Sequence, residues 1–160
     1  NYLVVTREID PTANEDVRVE HVMKGYRADR LSQIETLVFM TFFEGRHAVF
    51  CRNLEAQIDE PTLKGLIGKI ATDEERHEEF FGNLVAHLLQ TAREETVAAI
   101  ARFAAELGPV GEDIDAYADK IATVAAAGIF DDAARKAVIA DRIAVWGVAD
   151  EAVLREFTHA

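Results

Sequence analysis

Two long stretches with helical spacing of apolar residues, separated by a short break, constrain the fold of this chain more than any other feature. From residue 31 to about residue 57, apolar residues recur every three or four positions. The break is "IDEP" at 58–61, where Pro61 suits the first position of a second helix running to about residue 90. Because the connection is so short, the two helices are expected to pack antiparallel.

Shorter helical segments are predicted on both sides of this hairpin. One starts at Asp10-Pro11 or at Asn14 and ends near Tyr26. After the hairpin, segments separated by "GPVGED", "GIFDD" and "GVADE" predict helices at about 93–107, 113–127, 132–146 and 149–157. No segment alternates with a period of two for long enough to indicate a sheet, so the sequence predicts an all-α fold.

Composition excludes several classes of function. The 160 residues, 49% hydrophobic and 29% charged, are typical of one soluble globular domain, which we expect to span residues 1–160. A net charge of −12 argues against a nucleic-acid partner, and no apolar run approaches the roughly 20 residues of a membrane span. The single cysteine, Cys51, cannot form an internal disulfide, which favours a reducing location such as the cytoplasm.

One face of the second long helix combines apolar and ionisable residues. Its members advance by three or four positions: Ile67, Ile70, Glu74, His77, Phe81, Leu84 and Leu88. A carboxylate buried in such a stripe needs a partner. One interpretation pairs Glu74 with Arg76 or Lys69 at the edge of the stripe and leaves His77 as a core histidine. The other makes Glu74 and His77 metal ligands.

Glu44 on the first long helix favours the metal. If the hairpin turns near Asp59, Glu44 lies fifteen residues before the turn and Glu74 fifteen after it. At about 1.5 Å per residue, both carboxylates then stand roughly 22 Å from the bend, at the same height on facing helices. A glutamate beside a Glu-x-x-His motif is half of a ferritin-like di-iron carboxylate site. Carboxylates and imidazole are suitable ligands for iron.

The motif "IATDEERHEEFF" (70–81), with "FFEGRHAVFCRN" (42–53) upstream, resembles the soluble acyl-acyl-carrier-protein desaturases. The phrases "VMKGYRADR", "AVFCRNLEAQI" and "AVWGVADEAVLREF" are most similar to mycobacterial-type members, and the resemblance covers essentially the whole chain. It implies a ferritin-like helical bundle whose two iron ions and dioxygen insert a cis double bond into a carrier-bound fatty acyl chain. It also implies acyl-acyl-carrier protein as substrate, an electron donor such as ferredoxin, and a homodimer.

The resemblance also implies roles for single residues. Glu74 matches the bridging glutamate of the family, His77 a terminal imidazole ligand, and Glu44 a carboxylate on the same iron. Asp73, a predicted catalytic residue together with Glu74, resembles an aspartate that hydrogen-bonds near the histidine of the other iron; such an acid fixes ring orientation. Its alternative is a solvated helix acid. Five aromatic residues are candidates for an acyl tunnel or for plain core: Phe39, Phe42, Phe43, Phe80 and Phe81.

The sequence departs from the family pattern upstream of Glu44. The family's first ligand glutamate and first Glu-Glu-x-x-His motif are missing, since none of the upstream glutamates has a histidine three residues later: Glu8, Glu15, Glu20 and Glu35. The chain is therefore expected to be the C-terminal portion of a desaturase bundle, with half of the metal site and no activity by itself.

Two further histidines follow a glutamate by three residues. His47 stands where plant-type members carry a threonine, which puts ordinary oxygen activation in doubt, and forms a second Glu-x-x-His with Glu44. It is either a chance match or an additional ligand. Glu156 and His159 form a third Glu-x-x-His pair in the last five residues, where helices fray. We expect this pair to be a chance match that does not bind metal.

Two other functions stay open. The first is a ferritin-like oxidase or iron-binding protein, in which two copies of the hairpin pool their ligands across a two-fold axis. The second is an interaction module without metal. Five basic residues could dock an acidic carrier or form an ordinary solvated surface, because a spacing of three drifts around a helix. They are Arg18, His21, Lys24, Arg27 and Arg30.

Overall fold

The computed structural model describes residues 2–25, 31–106 and 117–158, and every regular element in these ranges is a helix. The helices are α1 (Tyr2–Val5), α2 (Pro11–Gly25), α3 (Gln33–Gln57), α4 (Pro61–Thr91), α5 (Arg93–Glu106), α6 (Tyr117–Ala126), α7 (Asp132–Val145) and α8 (Arg155–Thr158). The described part has no strand, which confirms the all-α prediction. The apolar pattern did not predict α1, which has only four residues.

The two long helices begin at well-formed caps. Ser32 and Glu35 form a capping box at the start of α3: the Ser32 hydroxyl accepts from the Glu35 amide at 3.2 Å, and the Glu35 carboxylate accepts from the Ser32 amide at 2.8 Å. At the start of α4, Glu60 accepts two backbone N–H groups and Pro61 occupies the first turn. The predicted break at 58–61 therefore separates the helices as expected.

Contacts between α3 and α4 run in opposite chain directions. Arg52, near the bend, donates from Nη2 to the Thr72 hydroxyl at 3.0 Å. Further from the bend, the Thr41 methyl group lies 3.6 Å from where a Cβ at Gly82 would stand. Residue numbers fall along α3 as they rise along α4, so the hairpin is antiparallel, as predicted.

The core lies where α3, α4, α5 and α7 meet, and α4 contributes to it with an unexpected face. The buried residues of α4 are Ala71, Gly82, Val85 and Leu89. The predicted stripe lies beside this face, with Ile70 38% and Leu84 37% exposed. In the described residues the stripe is therefore only partly buried, because α3 packs against the neighbouring face.

A glycine follows the end of α6 and another follows the end of α7. Gly128 has a φ of 68° and Gly147 a φ of 66°, the left-handed conformation in which a side chain is strained. At Gly147, the Val148 amide donates to the Ile143 carbonyl and the Gly147 amide to the Ala144 carbonyl, which is a Schellman motif. The glycines of "GIFDD" and "GVADE" therefore act as the predicted helix stops.

The remaining predicted boundaries differ in detail. The helix expected at 149–157 is reduced to α8, because residues 149–154 form turns. Tyr26, the segment "GPVGED" and the start of the helix expected at 113–127 lie outside the described residues. No helix in the described part combines the length and the hydropathy needed to cross a bilayer.

Candidate metal centre

The three predicted metal ligands lie together at the middle of the α3–α4 hairpin. One ligand atom each from Glu44, Glu74 and His77 fall within 4.8 Å of one another. Glu74 and His77 are three residues apart on α4 and so share a face, with Nδ1 of His77 2.9 Å from Oε2 of Glu74. Glu44 reaches them from α3. The three side chains therefore lie at the same height on the facing helices, as the equal distances from the bend predict.

Exposure rises across this group from α3 to the open face of α4. Glu44 is only 8% exposed and lies between Thr41 and Ala48, which are both buried. The Glu74 side chain is 21% exposed and the His77 side chain 55% exposed. The site is therefore closed on the side of α3 and open on the side of His77.

The electrostatics of the group follow from placing two carboxylates side by side. Burial and the neighbouring Glu74 carboxylate raise the pKa of Glu44 to about 7. Burial opposes ionisation of Glu74 as well, but hydrogen bonds with Glu44 and His77 outweigh it and lower the pKa of Glu74. The hydrogen bond to Glu74 raises the pKa of His77. Burial beside a second acid therefore disfavours the charged form of Glu44, and the charge of His77 acts in the opposite direction.

A divalent cation fits this donor set. A metal ion between the carboxylates would replace the shared proton and remove the repulsion between the two acids. Two carboxylate oxygens and one imidazole nitrogen suit iron, and they also suit manganese or zinc. The group would supply such an ion with three protein ligands.

The alternative interpretation of Glu74 as a surface ion pair does not describe this structure. Arg76 donates to Asp73 at 3.2 Å rather than to Glu74. Asp73 is itself 63% exposed, so it has the surroundings of a solvated helix acid. Its role in orienting a second histidine stays a prediction.

His47 lies near the site but outside the group of three. Its ring packs edge-on against Phe43, with centroids 4.2 Å apart. Burial lowers the pKa of His47, although the charge of Glu74 acts in the opposite direction. The imidazole lies one turn after Glu44 on the same helix. Its role as an additional ligand stays a prediction.

A cavity of about 440 Å³ lies beside His47, between α3, α6 and the start of α7. Its lining combines apolar side chains with a few charged ones at the ends: Arg46, His47, Phe50, Ile121, Ala122, Ala125, Phe130, Asp131, Asp132 and Arg135.

The aromatic residues on this cavity are not the predicted ones. Phe50 and Phe130 line it, with ring centroids 6.4 Å apart, and none of the five aromatic residues expected at a tunnel does so. Phe42 is instead fully buried against Trp146. Phe50 follows His47 by three residues, a signal that could have indicated it; Phe130 comes from a loop distant in sequence.

The other candidate residues lie away from this centre or outside the described part. Arg18 pairs with Glu15 on the surface of α2. Arg27 and Arg30 lie outside the described residues, as do the side chains of His21 and Lys24, so the basic patch stays a prediction. His159 also lies outside them, and its pairing with Glu156 is untested.

Comparison with known proteins identifies the family of the chain. The family model described as fatty acid desaturase matches residues 1–159. This chain belongs to the fatty acid desaturase family. The resemblance found in the 70–81 motif is thereby confirmed.

Two relatives of this desaturase chain come from Mycobacterium tuberculosis. The first is DesA2, named "putative acyl-acyl-carrier-protein desaturase", which is 62% identical over 156 residues, or 98% of this chain and 57% of the relative. The second is DesA1, which has the same description and is 22% identical over 139 residues, or 82% of this chain and 41% of the relative. The chain thus spans about half the length of these curated relatives.

An X-ray structure of DesA2 from the same organism has a TM-score of 0.86 to this desaturase chain at 56% identity. The match covers 98% of this chain and 60% of the DesA2 chain. Together with the helices described above, it confirms the predicted ferritin-like helical fold.

Proposed function

We propose that this chain is part of an acyl-acyl-carrier-protein desaturase, in which Glu44, Glu74 and His77 bind one of two iron ions. The observation that carries the proposal is the convergence of these three donors within 4.8 Å, in a chain of the fatty acid desaturase family. The names of DesA2 and DesA1 support the carrier-bound substrate. The other iron would need ligands from a second pair of helices.

The reaction removes one hydrogen from each of two neighbouring methylene groups of the acyl chain. Dioxygen takes up these two hydrogens, two electrons from a donor and two further protons, and leaves as two molecules of water. Iron, when bound, supplies the electron exchange with dioxygen. We propose ferredoxin as the electron donor.

The side chains of this desaturase divide the work of holding the metal. Glu44, buried between Thr41 and Ala48, is held in one orientation by its surroundings. Glu74 contacts both other ligands and is therefore the candidate bridging carboxylate. The contact of its Nδ1 with Glu74 orients His77, so that this nitrogen faces the carboxylate with which it would share the metal.

The cavity beside His47 is our candidate for the acyl chain. It is mainly apolar, and it begins one helical turn from Glu44. His47 lines the cavity and is close enough to Glu74 to respond to its charge, so the cavity and the metal centre are neighbours. A dry apolar wall at this point would exclude water from the reacting methylene groups.

The proposal extends to the setting of the protein. Residues 1–160 are proposed to form a single domain of a homodimeric protein in the cytoplasm. The single Cys51 agrees with a reducing compartment. The catalytic assignment of Glu74 and Asp73 is part of the same proposal, with Asp73 acting only through its neighbours.

A chimera tests this function within a complete polypeptide. This chain would replace the 156 aligned residues of DesA2, and the chimera would be supplied with iron, carrier-bound acyl chains, ferredoxin, a reductant and dioxygen. The expected product is an acyl chain lighter by two hydrogens, detected by mass spectrometry, and Glu74→Gln should abolish it. A chimera that binds two irons but leaves every acyl chain saturated would contradict the proposal.

A second function has one specific observation in its favour. The stripe of α4 that carries Glu74 and His77 is half-exposed, so two copies of the hairpin could pool their ligands across it. This iron oxidase would be dimeric by native mass spectrometry, would bind two irons per dimer, and would oxidise ferrous iron without acyl substrate. A chain that takes up no iron would instead be an interaction module.

A further inference from the structure

The residues that directly follow two of the proposed ligands lie against each other across the α3–α4 hairpin. Gly45 follows Glu44 on α3, and Glu78 follows His77 on α4. A Cβ built on Gly45 would stand 2.8 Å from Oε1 and 3.0 Å from Cδ of Glu78. The carboxyl group of Glu78 therefore occupies space that a Cβ at position 45 would need, and Cγ1 of Val138 would lie 3.2 Å from the same Cβ.

Arg142 of α7 holds Glu78 in this position. Its Nη2 lies 2.5 Å and its Nε 3.0 Å from Oε1 of Glu78. Both side chains are less than one fifth exposed, so the pair is partly desolvated and its charges interact more strongly than those of a surface pair. Removing either partner would leave a charge poorly compensated.

A second contact lies one turn further along α4, made by Trp146, which directly follows α7. The Trp146 indole donates to the Gly82 carbonyl at 3.0 Å. A Cβ at Gly82 would stand 3.1 Å from Nη1 of Arg142, so this arginine lies directly across the glycine. The C-terminal end of α7 therefore contacts α4 at two successive turns, at Glu78 and at Gly82.

The contact of Glu78 with Gly45 restricts the rotation of α4 against α3, together with the hydrogen bonds from Arg52 to Thr72 and Glu75. Neighbouring residues on a helix are about 100° apart around the axis and 1.5 Å apart along it. With Glu78 fixed against Gly45, His77 and Glu44 are therefore also fixed relative to each other. A rotation of α4 by one residue would carry His77 away from Glu44, whereas a working metal site tolerates displacements of only about 0.5 Å.

We propose that Glu78, held by Arg142 in the space left by Gly45, is a positioning residue of the metal centre. It sets the register that brings Glu44 opposite Glu74 and His77, without itself contacting the metal. This inference rests on the proposed metal site. The alternative hypothesis is that Glu78 and Arg142 form an ion pair that stabilises the fold but does not affect the position of the metal ligands.

We call the contact of Glu78 with Gly45 and Arg142 the lock. The test compares variants of the lock with matched controls on the full chain. The lock variants are Glu78→Gln, Gly45→Ala and Arg142→Lys. Glu151→Gln removes the same charge from the exposed pair with Arg93, and Gly65→Ala adds a methyl group where nothing lies within 4 Å. Cobalt(II) is the probe, because its visible absorption reports ligand geometry, and circular dichroism reports helix content.

We expect Glu78→Gln and Gly45→Ala to weaken cobalt binding about tenfold or more and to shift the cobalt absorption bands, with helix content unchanged. Arg142→Lys keeps the positive charge but loses the planar guanidinium group, so it should weaken cobalt binding less. The two control variants should bind cobalt within about twofold of the parent chain. Unchanged cobalt affinity and spectrum in both Glu78→Gln and Gly45→Ala would overturn the inference.

A measurement without metal separates this inference from the proposed function. Spin labels at Ala56→Cys of α3 and Asn83→Cys of α4, both exposed, would report the distance between the helices in a Cys51→Ser background. We expect one narrow distance distribution, which broadens or shifts in Glu78→Gln and Gly45→Ala but not in Glu151→Gln. If the parent chain binds no cobalt, the proposed metal site is wrong. If, in addition, the label distance is the same in the parent chain, in Glu78→Gln and in Gly45→Ala, the role of the lock in positioning the helices is wrong as well.

Discussion

At the scale of single residues, the centre depends on two carboxyl groups that the fold keeps in contact. Glu44 is buried, and its raised pKa reflects both burial and the adjacent Glu74. Such an arrangement is unfavourable for two charged acids and favourable for two acids that share a cation. The contact is therefore better explained by metal binding than by stability of the metal-free chain.

Glu74→Gln tests this explanation. The amide keeps the shape and can donate a hydrogen bond to Glu44, so the metal-free variant should melt at the same temperature as the parent or higher. Metal affinity should fall about 100-fold or more, because the residue that contacts both other ligands is lost. Calorimetric titration with cobalt(II) measures this fall, and Glu79→Gln, exposed on the same helix, should bind as the parent does.

At the scale of elements, α4 carries glycines whose surroundings differ. Gly65 is exposed, and a Cβ there would meet nothing within 4 Å, whereas a Cβ at Gly68 would stand 2.5 Å from Oε1 of Glu55. Gly65→Ala should raise the free energy of unfolding by about 0.5–1 kcal/mol, because alanine loses less conformational entropy in a helix. Gly68→Ala should gain less. Urea denaturation of both variants checks the difference.

The cap of α4 predicts a dependence of stability on pH. Hydrogen bonds from the Leu63 and Thr62 amides, together with one from Tyr2, lower the pKa of Glu60 to about 2. A lowered pKa means that this stabilisation is fully present above the unfolded value of about 4.3 and is lost as the pH falls toward 2.

Glu60→Gln should therefore melt below the parent chain at pH 7, and the difference should shrink between about pH 5 and pH 2. Melting curves at low ionic strength measure it, since salt screens an exposed group. Asp59→Asn removes the same charge one residue earlier and should show a smaller gap at pH 7. A gap for Glu60→Gln that stays constant with pH would contradict the role of its charge.

At the scale of the whole molecule, metal binding should be linked to folding, because the ligands come from two helices. A metal that binds only the folded chain stabilises it by about 2.7 kcal/mol at a free concentration of 100 Kd. Cobalt(II) should therefore raise the melting temperature of the parent chain. Glu44→Gln, which removes the ligand on α3, should lose most of this increase in a thermal scan with and without metal.

The sequence alone was sufficient for the helical hairpin and for most of the proposed centre. Helical spacing, Pro61 after a short break and the equal distances of Glu44 and Glu74 from the bend are local properties, and helix geometry converts them directly into positions. The 70–81 motif likewise indicated the family. These predictions succeeded because a straight antiparallel hairpin leaves little freedom along its axis.

What the sequence could not decide is the rotation of α4 about its own axis. Apolar spacing made the stripe through Ile70 and Leu84 look buried, but the tertiary structure buries the neighbouring face and leaves the stripe half-exposed. Two contacts between α4 and the C-terminal part of the chain, Arg142 with Glu78 and Trp146 with Gly82, join segments more than sixty residues apart. Only the packed structure decides them, because their free energy depends on partners that no local pattern identifies.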